Sequence, residues 1–450
     1  MNNTDSSRRR FIKQNSLAGF GLMLMGSIGS SVVSKNSSGP LNDPSADAGK
    51  IGGMSLEQIR DQYKKELFDR FVPNMDSLVI DHEYGGFMCN VDIASRQLLS
   101  TNKSAWFEGR GMWTYSFLYN NFGKNSHFLE VARKSKDFIL KLQPKDDRFW
   151  ISSFTREGVP ISGPGDIYCN LFIAEGLAEF SKASGDLQYR ELAKKIILSA
   201  LDRYDSPDYK YQITYGPASA PEILAPRVLG HWMVFLRSAT QFLEQGSDPD
   251  IQRLSERCVE AILKHQLNAD YRLLNEGLSH DLILPDNEWA QFAYLGHGTE
   301  TLWMVMAEAV RRKDAGLFNS AHELFKRHVT VATDAVEGGY FRSLDHVGNY
   351  SFEVDKVLWL QEEVLNGTLL LIEHTRDEWA QERFAQTYAY VQEKFLHPEY
   401  AFIVESGDRK MAHYQKDRAE HYHHPRRLML GLLALERMIR RHGKASGLFG

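Results

Sequence analysis

Two clusters in this chain carry residue types able to exchange protons. The first, Gly296-His297-Gly298-Thr299-Glu300-Thr301-Leu302-Trp303, sets an imidazole and a carboxylate three positions apart. On a helix that spacing puts both on one face, where a carboxylate can orient the ring and raise its basicity. The second, Glu420-His421-Tyr422-His423-His424-Pro425-Arg426-Arg427, holds three histidines within four positions. With an ordinary pKa of about 6.5, imidazole is suited to acid and base work at neutral pH. An isolated histidine of this kind reads as a core residue bonded to a neighbouring glutamate; two such clusters favour chemistry. The second cluster lacks the i, i+4 pair of a helical zinc site and no third ligand is evident, so no metal is expected.

An internal repeat supplies further candidates. Gly85-Gly86-Phe87-Met88-Cys89-Asn90-Val91-Asp92 leads to Lys103-Ser104-Ala105-Trp106-Phe107-Glu108-Gly109-Arg110. Gly338-Gly339-Tyr340-Phe341-Arg342-Ser343-Leu344-Asp345 leads likewise to Lys356-Val357-Leu358-Trp359-Leu360-Gln361-Glu362-Glu363. Each copy reads Gly-Gly-aromatic, an Asp in a turn, then Lys-x-x-Trp opening a helix. Arg110 and Glu363 fall at equivalent places, one turn after Trp106 and Trp359. A guanidinium can polarise a carbonyl or hold an enediolate oxygen, and a glutamate can bond sugar hydroxyls. The bland alternative is a structural ion pair between the two. His231, after Gly230 at the start of another long helix, is a candidate for the same pocket or a core residue. No phosphate-binding glycine loop, nucleophile elbow or locally supported Cys-His pair competes.

The elements that must position these groups are helices. Apolar periodicity predicts twelve, over 55–72, 104–122, 126–143, 166–184, 187–203, 222–244, 249–266, 289–312, 316–332, 356–376, 378–396 and 423–442. They pair, with extended stretches such as 149–154 and 338–341 between pairs. An element recurring far along such a chain implies positions around a closed ring. The expected architecture is all-α: an (α/α)6 barrel over 51–450, with short extended hairpins and inner helices directed at one central pocket. Two separate helical domains are the alternative, but no internal linker supports a cut.

Composition agrees with a large globular core: 450 residues, 43% hydrophobic, 25% charged, 12% aromatic. A net charge of −5 argues against nucleic acid or an anionic membrane as partner. Cys89, Cys169 and Cys258 are an odd number without ligand spacing, which reads as three buried small hydrophobes rather than a disulfide framework. Ser7-Arg8-Arg9-Arg10-Phe11-Ile12-Lys13, followed by a Gly-rich, weakly apolar run, fits a twin-arginine export signal over 1–34. A Ser/Gly/Pro/Asn-rich linker follows over 35–50. The expected location is the periplasm, without an integral membrane anchor; a homodimer is left open.

Taken together, Lys356 to Glu363, Gly296 to Glu300, Tyr422 to Arg426, the Arg110-Gly111-Met112-Trp113 element and the Glu175 to Phe180 helix resemble the N-acylglucosamine 2-epimerase and cellobiose 2-epimerase superfamily. The resemblance spans 51–450. It implies an (α/α)6 barrel needing neither redox cofactor nor metal, acting on a small sugar. It implies ring opening, removal of the C2 proton to an enediolate, and reprotonation from the opposite face. His297 and His423 would be the two acid/base groups, with Glu300 orienting His297 and Arg110 and Glu363 binding substrate oxygens. Trp303, Trp359 and Trp106 would pack on sugar rings, and His231 and Arg426 would complete the pocket. Leu358 stands where the family often has a second Trp, Thr299 replaces an aliphatic residue, and His424 is an extra imidazole.

Two other reactions suit the same fold. An aldose–ketose isomerase would move the proton between C2 and C1 on one face. A glycoside hydrolase or lyase would need two carboxylates, for which Glu300, Glu363, Asp286 and Glu288 are candidates, but it leaves the histidines unused. A non-catalytic sugar-binding protein would keep the tryptophans without needing the histidines.

Overall fold

The computed structural model describes residues 49–146, 149–217 and 219–449. The predicted export signal and nearly all of the predicted linker lie outside them. Twelve helices run through the described residues, in the predicted order. Helix α1 is a continuous rod of three stretches, Leu56–Lys64, a π-helical Lys65–Phe71 and Val72–Leu78. There follow α2 (Ala105–Asn121), α3 (Ser126–Lys141), α4 (Ile167–Ser184), α5 (Gln188–Asp205) and α6 (Leu229–Glu244). Helix α7 is Pro249–Glu260 with a π-helical extension, Ala261–Gln266. The chain closes with α8 (Leu295–Arg312), α9 (Ala315–Ala332), α10 (Leu358–Thr375), α11 (Glu378–Lys394) and α12 (His423–Arg440).

Even-numbered helices form the inner ring. Each packs on the next, α2 on α4 through to α12, and α12 returns to α2; each odd-numbered helix packs outside one inner helix. The closed ring makes an (α/α)6 barrel. Sequence character sorts the layers. Helix α4 is buried along every residue from Ile167 to Ser181, as an inner helix apolar on all sides must be. Over Pro249–Glu260, helix α7 buries only Ile251, Leu254, Ser255 and Cys258, a single i, i+3, i+4, i+7 stripe. Local caps set the ends: Asp166 accepts the Cys169 N–H at the start of α4, and Gly185 closes it at φ 76°.

Two helices start later than predicted. Residues 222–228 include Pro226 and a two-residue strand, Arg227–Val228, paired with Gly277–Leu278. Residues 288–291 form a separate 3-10 turn before α8. Comparable rungs, Lys103–Ser104 with Ser153–Phe154 and Lys356–Val357 with Ser406–Gly407, precede α2 and α10. These are the expected short hairpins. The three cysteines are free and buried. No helix among the described residues is long and apolar enough to cross a membrane.

Candidate active site

A cavity of about 660 Å³ opens where the inner helices begin. Trp106 and Arg110 of α2, Tyr168 and Phe172 of α4, Met233 of α6, His297 and Glu300 of α8, Trp359 of α10, and His423 and Arg426 of α12 all line it. Six helix N-termini therefore surround one space, and their positive ends favour negative charge there.

His297 and His423 enter the cavity as two matched dyads. The His297 Nδ1 is 3.0 Å from Glu276 Oε1, and the His423 Nδ1 is 3.0 Å from Glu363 Oε1; both carboxylates are wholly buried. An acidic partner at Nδ1 fixes the proton there and leaves Nε2 for the cavity. The Trp359 ring lies 5.9 Å from each imidazole. Close packing dictates glycine at position 296, because any side chain there would overlap the Trp359 ring.

Tyr215 donates its hydroxyl to Glu276 Oε1 at 2.8 Å, and the Tyr215 ring stacks on Tyr294 at 4.9 Å. Around Glu363, Trp303 Nε1 donates at 2.6 Å, Asn366 at 3.2 Å and Arg426 at 2.5 Å. Burial alone would raise the Glu363 pKa, but the Arg426 charge and the His423 bond hold it down at about 2. Arg426 also donates to Glu300 at 2.6 Å. Glu420 caps α12: its carboxylate accepts the backbone N–H groups of Tyr422, His423 and His424. Against its own burial, the neighbouring His423 and His421 and these backbone donors keep its pKa at about 2.

Several predicted roles change. Glu300 does not orient His297; it is held by Arg426, and Glu276 takes that place. Glu363 lies behind the cavity wall, bonded to His423, and does not line the cavity. Trp303 points to the far side of the barrel floor, where it lines a second cavity of about 450 Å³. His231 is wholly buried behind Tyr168 and outside the cavity lining, with its pKa lowered to about 3 by burial and by the charges of His297 and Arg227. Arg110, Trp106, Trp359 and Arg426 do line the cavity. Arg110 makes no ion pair among the described residues; its guanidinium lies 4.1 Å over Phe172, 4.6 Å over Tyr422 and 5.0 Å over Trp106. Asp286 and Glu288 are exposed and outside the cavity.

The other two histidines of the second cluster serve the frame. His424 sits between Glu362 at 2.6 Å and Glu66 at 3.1 Å. Burial opposes its charge, but the two carboxylates raise its pKa to about 9. His421 lines the cavity and donates to the Phe107 carbonyl, with burial lowering its pKa to about 4.

Glu300, Glu363 and His423 bring three possible ligand atoms within 4.8 Å of one another. Arg426 already bonds both carboxylates and approaches His423 Nδ1 at 3.1 Å, so its guanidinium takes the place an ion would need.

The chain matches the family model described as N-acylglucosamine 2-epimerase (GlcNAc 2-epimerase) over residues 62–424. It is 26% identical over 359 residues to the N-acylglucosamine 2-epimerase of Bos taurus, covering 77% of this chain and 83% of that protein. To the cellobiose 2-epimerase of Bacteroides fragilis it is 22% identical over 363 residues, covering 74% and 87%. The solved cellobiose 2-epimerase of Bacillus thermoamylovorans B4167 superposes with a TM-score of 0.74 at 14% identity, over 84% of this chain and 99% of that one. Fold, site and relatives define a carbohydrate epimerase of the (α/α)6 class. The chain belongs to the N-acylglucosamine 2-epimerase family.

Proposed function

We propose that this enzyme inverts C2 of a reducing sugar in its open-chain form, using His297 and His423 as acid and base on opposite faces. The observation that carries this reading is the pair of equivalent dyads lining one cavity, each with a buried glutamate 3.0 Å from Nδ1 and each imidazole 5.9 Å from Trp359. One Nε2 removes the C2 proton, and the C–H electron pair forms the C1–C2 double bond of an enediolate. The other Nε2 returns a proton to C2 from the far side, and the carbonyl re-forms at C1. Arg110 and the ring of helix N-termini stabilise the developing oxyanion. Trp106 and Trp359 supply faces for sugar rings.

Glu300 and Glu363 share one guanidinium, which ties both carboxylates to Arg426. That arrangement favours the histidine mechanism over hydrolysis. Incubation in heavy water with N-acylglucosamine, glucose, mannose and a β-1,4-linked glucose disaccharide tests it. Deuterium at C2 of an inverted product is expected from at least one; a ketose as sole product would mean isomerisation, and a released monosaccharide would mean hydrolysis.

The Ser7 to Lys13 segment supports a periplasmic location. Replacing Arg8 and Arg9 by lysine is expected to retain the enzyme in the cytoplasmic fraction; unchanged fractionation would overturn export by this route.

A further inference from the structure

Behind His297 lies a pocket of polar atoms that the proposed chemistry leaves unused. The His231 ring is surrounded by four phenol rings, Tyr168 and Tyr211 at 4.6 Å, Tyr204 at 5.5 Å and Tyr209 at 6.0 Å between centroids. Both ring nitrogens of His231 are buried without a hydrogen-bond partner among the described residues, as are the hydroxyls of Tyr168, Tyr204 and Tyr209. Buried polar groups in folded proteins are almost always bonded, because each one left alone keeps the whole cost of leaving water. Three such hydroxyls around an imidazole whose own two nitrogens are unpartnered therefore point to a ligand that both donates and accepts.

The chemistry of the pocket selects that ligand. Burial keeps His231 neutral at physiological pH, so one nitrogen donates and the other accepts. Phenol hydroxyls also do both. An anion would find the nearest cation, Arg227, already engaged over the Tyr204 ring at 4.4 Å and on the Ala225 carbonyl, and a metal finds no carboxylate among the His231 and tyrosine groups. Water meets both needs, and two to four polar partners are what a buried water requires.

We propose that His231 and the hydroxyls of Tyr168, Tyr204 and Tyr209 hold an internal water site, and that His231 acts through it as a positioning residue rather than as a sugar ligand. Tyr168 joins this site to the active cavity: the residue lines the sugar space, and its buried hydroxyl packs against Gly230. His297 packs against the same glycine. The water thus fixes the wall against which one catalytic imidazole is seated.

A high-resolution crystal structure of the full chain, alone and soaked with an accepted sugar, tests the site directly. The expected result is water bonded to a His231 nitrogen and at least one of the three hydroxyls in both crystals. A dry site, or a His231 nitrogen bonded to sugar, would overturn the proposal. The kinetic arm rests on the epimerase reading, whereas the crystallographic arm does not. His231→Phe should lower kcat about tenfold with KM within about twofold, and His231→Asn, which can still bond water, should recover most of it. A rise in KM of about tenfold with kcat kept would assign His231 to the sugar, and unchanged constants would remove its positioning role. If His231→Phe does not fold, the two crystals decide alone.

Discussion

Trp303 donates its indole N–H to Glu363 at 2.6 Å from below the cavity floor, and Glu363 in turn holds the His423 imidazole at 3.0 Å. A ring expected to stack on sugar is thus a brace for the Glu363–His423 pair. Trp303→Phe keeps the ring and deletes the donor, leaving Asn366 alone on that carboxylate oxygen. We expect kcat to fall about tenfold with KM within about twofold. Steady-state kinetics decide the point: a KM effect instead of a kcat effect would return Trp303 to the substrate.

The partner of His297 is a second point of decision. Glu276→Gln and Glu363→Gln each remove a negative charge from an imidazole Nδ1 while keeping the volume. Each should lower kcat about 10²- to 10³-fold, in the range by which positioned acid–base groups act. Glu300→Gln, whose carboxylate bonds Arg426, should cost less than Glu276→Gln. Measuring kcat in both reaction directions for the three variants tests this ordering. A Glu300→Gln enzyme slower than Glu276→Gln would restore the i, i+3 pairing.

That pairing shows where sequence reading reaches and where it stops. The twelve helices and their ring were legible because inner and outer helices carry different apolar patterns and because Lys-x-x-Trp recurs. Spacing along α8 correctly put Glu300 and His297 on one face, but it says nothing of what faces them across the barrel. Glu276 comes from the turn between Leu273–Leu274 and Gly277–Leu278, with no sequence relation to His297 beyond lying in an apolar run. Trp303 was misplaced for a related reason: it follows Glu300 by three positions, yet the barrel floor passes between the two. Glu420, which caps α12, was visible only as an acidic neighbour of the histidines.

Glu108 predicts a pH dependence of stability. It accepts the Phe87 N–H at 2.9 Å and Ser135 Oγ–H at 2.8 Å, and burial raises its pKa to about 7 from an ordinary 4.5. A carboxyl raised on folding stabilises most below its unfolded pKa, and that stability is lost as pH rises through the folded value. The window is therefore about pH 4.5 to 7. In the second repeat Gln361 fills the same role, accepting the Tyr340 N–H at 3.1 Å without a charge. Glu108→Gln should then flatten the profile and stabilise the protein above pH 7 by about 1–3 kcal/mol. Urea unfolding at pH 5 and pH 8 checks it; a variant less stable at both would refute the reading.

The repeat makes its own prediction, because its two copies build the same buried network at the same offset along the chain. Lys103 Nζ bonds Asp81 at 2.9 Å and the Gly85 carbonyl at 2.7 Å, while Arg156 Nε bonds Asp81 at 2.8 Å. Lys356 Nζ bonds Asp334 at 3.0 Å and the Gly338 carbonyl at 2.9 Å, while Arg409 Nε bonds Asp334 at 2.8 Å. Both lysines are fully enclosed, and both aspartates are held well below the usual carboxylate range against their burial, by the arginine first and the lysine next. Removing one partner of a buried pair leaves the other uncompensated, at about 3–5 kcal/mol. Each arginine remains as a partial substitute, so Lys103→Met and Lys356→Met should each cost about 3 kcal/mol, near the lower end of that range. Because Lys103 opens α2 and Lys356 opens α10, each loss should also loosen a cavity tryptophan, Trp106 or Trp359. Denaturant unfolding of the two variants should give the same loss within about 1 kcal/mol, the usual spread for one interaction in two settings. A large difference would mean that the two networks share a pattern without sharing a load.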